Sequence, residues 1–362
     1  MGNLKNNKIN VPKISIIVPV YNAADVVGRC LESLIGQTLQ DIEIICVDDK
    51  STDDSVAVLN QYSVKDSRIK VLCNETNRGT LVTRKKGVSQ AAGEYIMFAD
   101  NDDYYDKNAC KELYEIIEEN KTDILMYEVL QLADNGIYED GYKHLRIKQE
   151  HIDGENCLKT ENRVMWLWNK IVRSDVCKKA YEAASDERMV FAEDAYGCWL
   201  LHYFSKSMST VNKSYYYYDY QRGSTGKKTI SYREFESRCN ELKLLEKLLE
   251  ELFINNGTIE RDRWIIEFET VRGLNSMINY WSNRLSEDDE YMGFNYLCEI
   301  YGQELVQCEI RKKCIHEESE KLRYREKNTN LRVKNRKLSE SSAMKIGRLI
   351  TYLPQKIMKM GR

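Results

Sequence analysis

Two periodicities alternate along the first hundred residues. Ile14-Ser15-Ile16-Ile17-Val18 is a short β-branched run that Pro19 ends. From Val26 the apolar positions become Val26, Val27, Cys30, Leu31, Leu34 and Ile35, the spacing of one helix face. A second apolar run, Ile42 to Val47, stops at Asp48-Asp49, and Thr52 and Asp53 suit the N-cap of a following helix. Arg68 to Leu72 predicts a third strand, Thr80 to Ala92 a helix, and Tyr95 to Ala99 a fourth strand halted by Asp100. Strands this apolar, separated by amphipathic helices, predict a mainly parallel sheet covered on both faces. From Tyr232 to about Ile315 the pattern turns helical, with Leu242, Leu244, Leu245, Leu248, Leu249 and Leu252 on a broad apolar face.

Composition narrows the picture. The 362 residues, 42% hydrophobic with three prolines, suffice for one large domain plus a smaller one. The eleven cysteines are scattered singly with no CxxC pair, which predicts buried free thiols and neither a disulfide framework nor a zinc site. Met1 to Asn10 is polar, and no stretch approaches the roughly 20 apolar residues of a spanning helix. The expected location is therefore the cytoplasm. The net charge of −3 conceals a basic segment: residues 321–362 hold thirteen Lys/Arg against Glu326 and Glu340, a local +11 beside −14 elsewhere.

The acids fall where ligands bind. Asp48 and Asp49 follow the second strand, and Asp100, Asp102 and Asp103 follow the fourth. In an open parallel sheet the ligand crevice lies outside the carboxyl ends of the strands. Five carboxylates converging there need a cation, and hard oxygen ligands suit Mg²⁺ or Mn²⁺ shared with substrate phosphates.

Ile14-Ser-Ile-Ile-Val-Pro-Val-Tyr-Asn22, Cys30-Leu-Glu-Ser-Leu-Ile-Gly-Gln-Thr38 and Val47-Asp-Asp-Lys-Ser-Thr-Asp53 resemble the opening of family-2 glycosyltransferases with the GT-A fold. Asn77-Arg-Gly79 with Arg84, Ala92-Gly-Glu-Tyr95 and Phe98-Ala-Asp-Asn-Asp-Asp103 continue the pattern in order, as do Trp168-Asn-Lys170, Ala192-Glu-Asp194 and the Tyr218–Gly226 loop. The resemblance covers residues 11–226, implied to be the GT-A catalytic domain. Residues 227–315 would then be a helical C-terminal region, and 316–362 a basic amphipathic tail.

The resemblance implies roles. Pro19, Tyr21 and Asp49 would hold the base and ribose of a nucleotide-sugar donor, UDP by family habit. Asp100-Asn-Asp102 matches the DxD element, Asp100 reaching the ribose and Asp102 ligating Mn²⁺ or Mg²⁺ at the diphosphate. Arg84 would lie against that diphosphate, although Lys85 and Asn101 depart from the usual pattern. Asp194 would be the base that takes the acceptor proton, its basicity raised by Glu193 beside it; read without the resemblance, the pair is also an ordinary acidic helix start. Trp168, with Trp166, would offer a face to the acceptor sugar. The implied reaction is transfer of a hexosyl or N-acetylhexosaminyl group with inversion, onto a glycan or lipid-linked acceptor in cell-surface polysaccharide synthesis.

Two other readings stay open. One is a non-catalytic nucleotide-sugar-binding scaffold that has kept the fold. The other is a metal-dependent nucleotidyltransferase, disfavoured because Pro19 to Asp25 has neither glycine nor a basic residue. For the tail, Met344, Leu349, Ile350 and Leu353 interleaved with Lys345, Arg348, Lys356 and Lys359 predict peripheral docking on an anionic membrane. Nucleic acid is not an expected partner, and the C-terminal helices offer a route to oligomerisation.

Overall fold

In the computed structural model, the described residues are 11–132, 138–139, 151–159, 165–219 and 229–316. The first half follows the predicted alternation: β1 (Ile14–Val20), α1 (Val27–Ile35), β2 (Ile42–Asp48), α2 (Ser55–Lys65), β3 (Ile69–Cys73), α3 (Thr80–Gln90) and β4 (Tyr95–Phe98). β1 and β2 are buried along their whole length, which is why they read as unbroken apolar runs. Then come β5 (Tyr104–Tyr105), α4 (Ala109–Asn120), β6 (Ile124–Leu132), β7 (Tyr138–Glu139), β8 (His151–Asp153), β9 (Lys170–Arg173), α5 (Ser174–Glu182), α6 (Glu193–Phe204) and β10 (Ser207–Tyr218). The C-terminal helices are α7 (Tyr232–Asn255), α8 (Ile259–Arg284) and α9 (Glu290–Tyr301).

The main strand order is β3-β2-β1-β4-β9-β6-β10-β5. β1 runs parallel to both β2 and β4, and β2 parallel to β3. β9 is antiparallel to both β4 and β6, so beyond the first four strands the sheet is mixed. With β10 parallel to β6, the sheet as a whole is mixed but mostly parallel, as expected.

Two local expectations are corrected. Pro19 does not end β1, which continues to Val20 paired with Asp48. Its other neighbour β4 pairs only as far as Phe98 opposite Ile17, so at Pro19 β1 has one paired flank and tolerates a residue without an N–H. The N-cap of α2 is Asp54, which makes no side-chain cap. Asp53 instead accepts from Ser55 N–H (3.0 Å) and Ala24 N–H (3.1 Å), while Thr52 N–H donates to Asn22 Oδ1 (2.8 Å).

α3 approaches the sheet closely: a Cβ on Gly87 would lie 2.4 Å from Ile17 Cγ2. α7 has a true cap, Ser231 accepting from Glu234 N–H at 3.2 Å. Its buried face is Leu242, Leu245, Leu248, Leu249 and Leu252, with Leu244 only half-buried. All eleven cysteines are free, and most are buried. Among the described residues no helix is long and apolar enough to cross a membrane. The chain divides into two compact units, 1–300 and 301–362; in the second, residues 303–316 are helical. The predicted amphipathic tail lies outside the described residues.

Candidate active site

The carboxyl ends of β1, β2 and β4 open into a cleft of about 1200 Å³. Pro19, Tyr21, Asp49, Arg84, Asp100, Asp102, Trp168 and Asp194 all line it, so the structure gathers every predicted site residue at one place. Tyr21 stands at its mouth, 48% exposed.

The five acids do not all converge. Asp48 is buried and accepts from Ser51 N–H at 3.0 Å. Asp103, wholly buried, accepts from Tyr216 Oη–H (2.8 Å) and Asp219 N–H (2.8 Å), pinning the loop after β4 to the end of β10. Three acids remain to face the cleft: Asp49, Asp100 and Asp102.

Asp49 is already engaged. Its Oδ1 accepts from Asn74 Nδ2 and from Arg78 N–H, each at 2.8 Å, and its Oδ2 from Gly79 N–H at 2.8 Å. Three of about four lone-pair positions are thereby used to shape the 77–79 loop. Gly79 has φ +80°, and a Cβ there would sit 2.8 Å from the Met189 carbonyl oxygen. That approach joins the 77–79 loop to the segment leading into α6, and Arg188 Nε donating to Asn77 Oδ1 (3.2 Å) reinforces the join.

The loop after β4 is equally tied down. Asp100 N–H donates to Tyr216 Oη (3.1 Å), and Asn101 Nδ2 donates to the Pro19 carbonyl (2.9 Å), which accounts for the amide where a small residue was expected. Arg29 donates to the Asp102 main-chain carbonyl (2.5 Å) and to Asp219 Oδ2 (2.8 Å). The Asp102 carboxylate itself has no ion-pair partner among the described residues; burial, then Asp219, raises its pKa. A carboxylate short of counter-charge beside a cleft fits a hard divalent cation. No group of three potential metal-ligating side chains occurs among the described residues. Asp102 would thus offer such a cation a single protein carboxylate among the described residues.

Arg84 is the centre of charge. Only 2% exposed, it donates from Nη1 to Asp194 Oδ1 (2.5 Å) and Glu193 Oε1 (3.4 Å), and from Nη2 to Asp100 Oδ1 (2.7 Å). One guanidinium faces three carboxylates, so protons are retained. Burial and the neighbouring acids, against Arg84, push Asp100 up to about 7. Burial first, then Asp194, pushes Glu193 well above the carboxylate range. Glu193 is buried, whereas Asp194 keeps 24% of its side chain exposed. Lys85 turns away to the Ala184 carbonyl (2.7 Å) and Asp186 (2.8 Å).

The aromatic wall differs from expectation. Trp168 is 3% exposed and stacked on Trp166 (4.8 Å) and Tyr216 (4.7 Å), with little face to offer. Trp166, half-buried, is the more open ring. Buried Lys170 donates to the Trp166 carbonyl and to Asn169 Oδ1 (2.9 Å), fixing this platform; burial lowers its pKa. The far wall, which the sequence pattern did not assign, is formed by α7 and α8 through Ser237, Arg238, Glu241, Leu242, Arg272 and Ser276.

A family model, glycosyl transferase family 2, matches residues 15–180. EpsH of Bacillus subtilis, a putative glycosyltransferase, is 30% identical over 290 residues, covering 77% of this chain and 81% of that protein. The chain belongs to glycosyltransferase family 2. The poly(ribitol-phosphate) beta-glucosyltransferase of Bacillus spizizenii is 38% identical to this family-2 chain over 146 residues, 40% of this chain and 23% of the relative. The chain thus spans between about a quarter and four fifths of these relatives. S. aureus TarS 1-349, crystallised with UDP-GlcNAc, superposes with a TM-score of 0.55 at 21% identity, covering 83% of this chain and 92% of that one, which shows the GT-A fold.

Proposed function

We propose that this chain is an inverting, metal-dependent glycosyltransferase. In this reading it moves a glucosyl or N-acetylhexosaminyl group from a UDP-sugar to an acceptor hydroxyl in cell-surface glycan synthesis. The observation that carries the reading is Arg84 bridging Asp100 to Asp194, which sets the donor loop and an exposed carboxylate at one point of one cleft. The names of relatives support the substrate class: one is a glucosyltransferase acting on poly(ribitol-phosphate), and TarS was solved with UDP-GlcNAc.

Pro19 and Tyr21 would hold the base, with Asp49 fixing the neighbouring loop and Asp100 nearest the ribose. Asp194 would take the proton of the acceptor hydroxyl as its oxygen bonds to the anomeric carbon and the bond from that carbon to the diphosphate oxygen breaks, releasing UDP. A carboxylate base of this kind contributes about 10²–10⁴ in rate. Mn²⁺ or Mg²⁺ held by Asp102 would supply positive charge at the diphosphate. Trp166 and Trp168 would border the acceptor. Residues 321–362 would dock this unit on the anionic inner face of a membrane, near a lipid-linked acceptor.

The test is UDP release from a panel of UDP-sugars with Mn²⁺, comparing the parent with Asp194→Asn. The variant is expected to bind donor normally and to lose transfer by at least about 10²-fold. Transfer near the parent rate would overturn the assignment of the base.

A further inference from the structure

α6 begins without a side-chain cap. Its N-cap is Ala192, which has no acceptor, and its first two residues, Glu193 and Asp194, are engaged by Arg84. Backbone N–H groups at a helix start need acceptors. The amides that lead into this start, at the N-cap and the two positions before it, find an acceptor on another helix: Glu241, from the middle of α7, accepts through Oε2 from Val190 N–H (2.7 Å), Phe191 N–H (2.6 Å) and Ala192 N–H (3.4 Å). One turn earlier on α7, Arg238 lies against the Phe191 ring at 4.8 Å and against Tyr280 of α8 at 4.5 Å. The three residues that immediately precede Glu193-Asp194 are therefore held by two α7 side chains, from the cleft wall that the family match to residues 15–180 does not include.

We infer that Glu241 is a positioning residue, holding the 190–192 segment that leads into α6 and so setting where Asp194 stands in the cleft. The inference rests on the reading of Asp194 as base. A carboxylate at a helix start satisfies both the free amides and the positive end of the helix dipole. With that carboxylate removed, the 190–192 segment loses its three hydrogen bonds to α7 and keeps the Arg238–Phe191 packing and, through Met189, the approach to Gly79. The base then drifts relative to the donor, and displacements of about 1 Å cost on the order of 10²-fold in rate.

The test compares Glu241→Ala and Glu241→Gln in the full chain, with UDP-glucose and UDP-N-acetylglucosamine plus Mn²⁺ as probes. Glu241→Ala is expected to lower kcat for UDP release by about 10–100-fold with the donor KM and the affinity for UDP unchanged. Glu241→Gln, whose amide oxygen still accepts, should stay within about threefold of the parent. Hydrogen exchange at the amides of residues 190–192 should speed up in the alanine variant and not in the glutamine variant. Unchanged exchange in Glu241→Ala, equal losses of kcat in both variants, or a change in KM alone would each overturn the inference. A failure of the base itself is read separately. It appears as an active Asp194→Asn variant, whereas the exchange measurement reports on Glu241 without any turnover.

Discussion

Arg84 carries more of the site than a phosphate contact would require. It is nearly inaccessible and serves Asp100, Glu193 and Asp194 together. Arg84→Ala would strand three acids around an empty volume, and loss of one partner from a buried ion cluster costs about 3–5 kcal/mol. Urea denaturation should show that loss, with Arg84→Lys recovering part of it. Asp100 makes a second prediction. Its carboxyl, held at about 7 in the fold, keeps its proton over a range where the unfolded chain has released it. From about pH 4 to 7 the native state therefore binds more protons, and stability falls as pH rises. Asp102, Asp103 and Glu193, all raised, act in the same sense. The melting temperature without metal or donor should decline between pH 5.5 and 7.5. Asp100→Asn should flatten that decline by about 2–4 °C; identical slopes in variant and parent would count against the assignment. The motif residues themselves were legible because acids after apolar strands mark a crevice. Their division of labour was not, since Asp48 turns to the nearby Ser51 amide, and Asp103 to Tyr216 Oη–H and the Asp219 amide, which only the tertiary structure brings near. Asp219 obeys the same rule of an acid after a strand, following β10, and was not singled out in the sequence.

At the scale of elements, the first four strands and their helices came directly from periodicity, because β1, β2 and β4 are buried on both faces, while the edge strand β3 is only partly buried. β9 did not. It is four residues long, and its antiparallel place between β4 and β6 depends on partners more than 40 residues away. The Ala92-Gly-Glu-Tyr95 stretch has a packing reason: a Cβ on Gly93 would lie 2.6 Å from Ser15 N and 2.8 Å from the Ile14 carbonyl carbon. Gly93 N–H also donates to Ser15 Oγ (2.8 Å), which itself donates to buried Glu43. Gly93→Ala must push β1 from the entry of β4, with an expected cost of about 1–3 kcal/mol by overpacking. A stability change below about 0.5 kcal/mol in denaturant titration would show that the backbone yields freely there. The leucine face of α7 was legible for the same reason as the strands. Its polar contribution to the cleft was not, because Glu241 and Arg238 look like ordinary solvated helix residues until Val190–Ala192 lies beside them.

For the whole molecule, charge separates an acidic body from the basic 321–362 segment. Each Lys or Arg near an anionic leaflet adds on the order of 1 kcal/mol, screened by salt. The full chain should therefore co-sediment with phosphatidylserine-containing liposomes at low salt and release at high salt, and deletion of residues 341–362 should weaken binding by at least about tenfold. Equal sedimentation of both forms would place any anchor elsewhere. The Arg84–Asp194 bridge has one more consequence, and it concerns the order of folding. Its partners are 110 residues apart, and the strand between β4 and β6 is the ninth in sequence. During synthesis β1 to β4 can pair through short, local crossovers as soon as they are exposed. On the proposed reading of Asp194, the cleft has no base until α6 follows, and no anchored base until α7 has docked. Long-range closures of this kind are the slow ones. If Asp194 is the base, a nascent chain halted before residue 193 would hold the β1–β4 half of the cleft and be chemically silent, so competence for transfer arrives late.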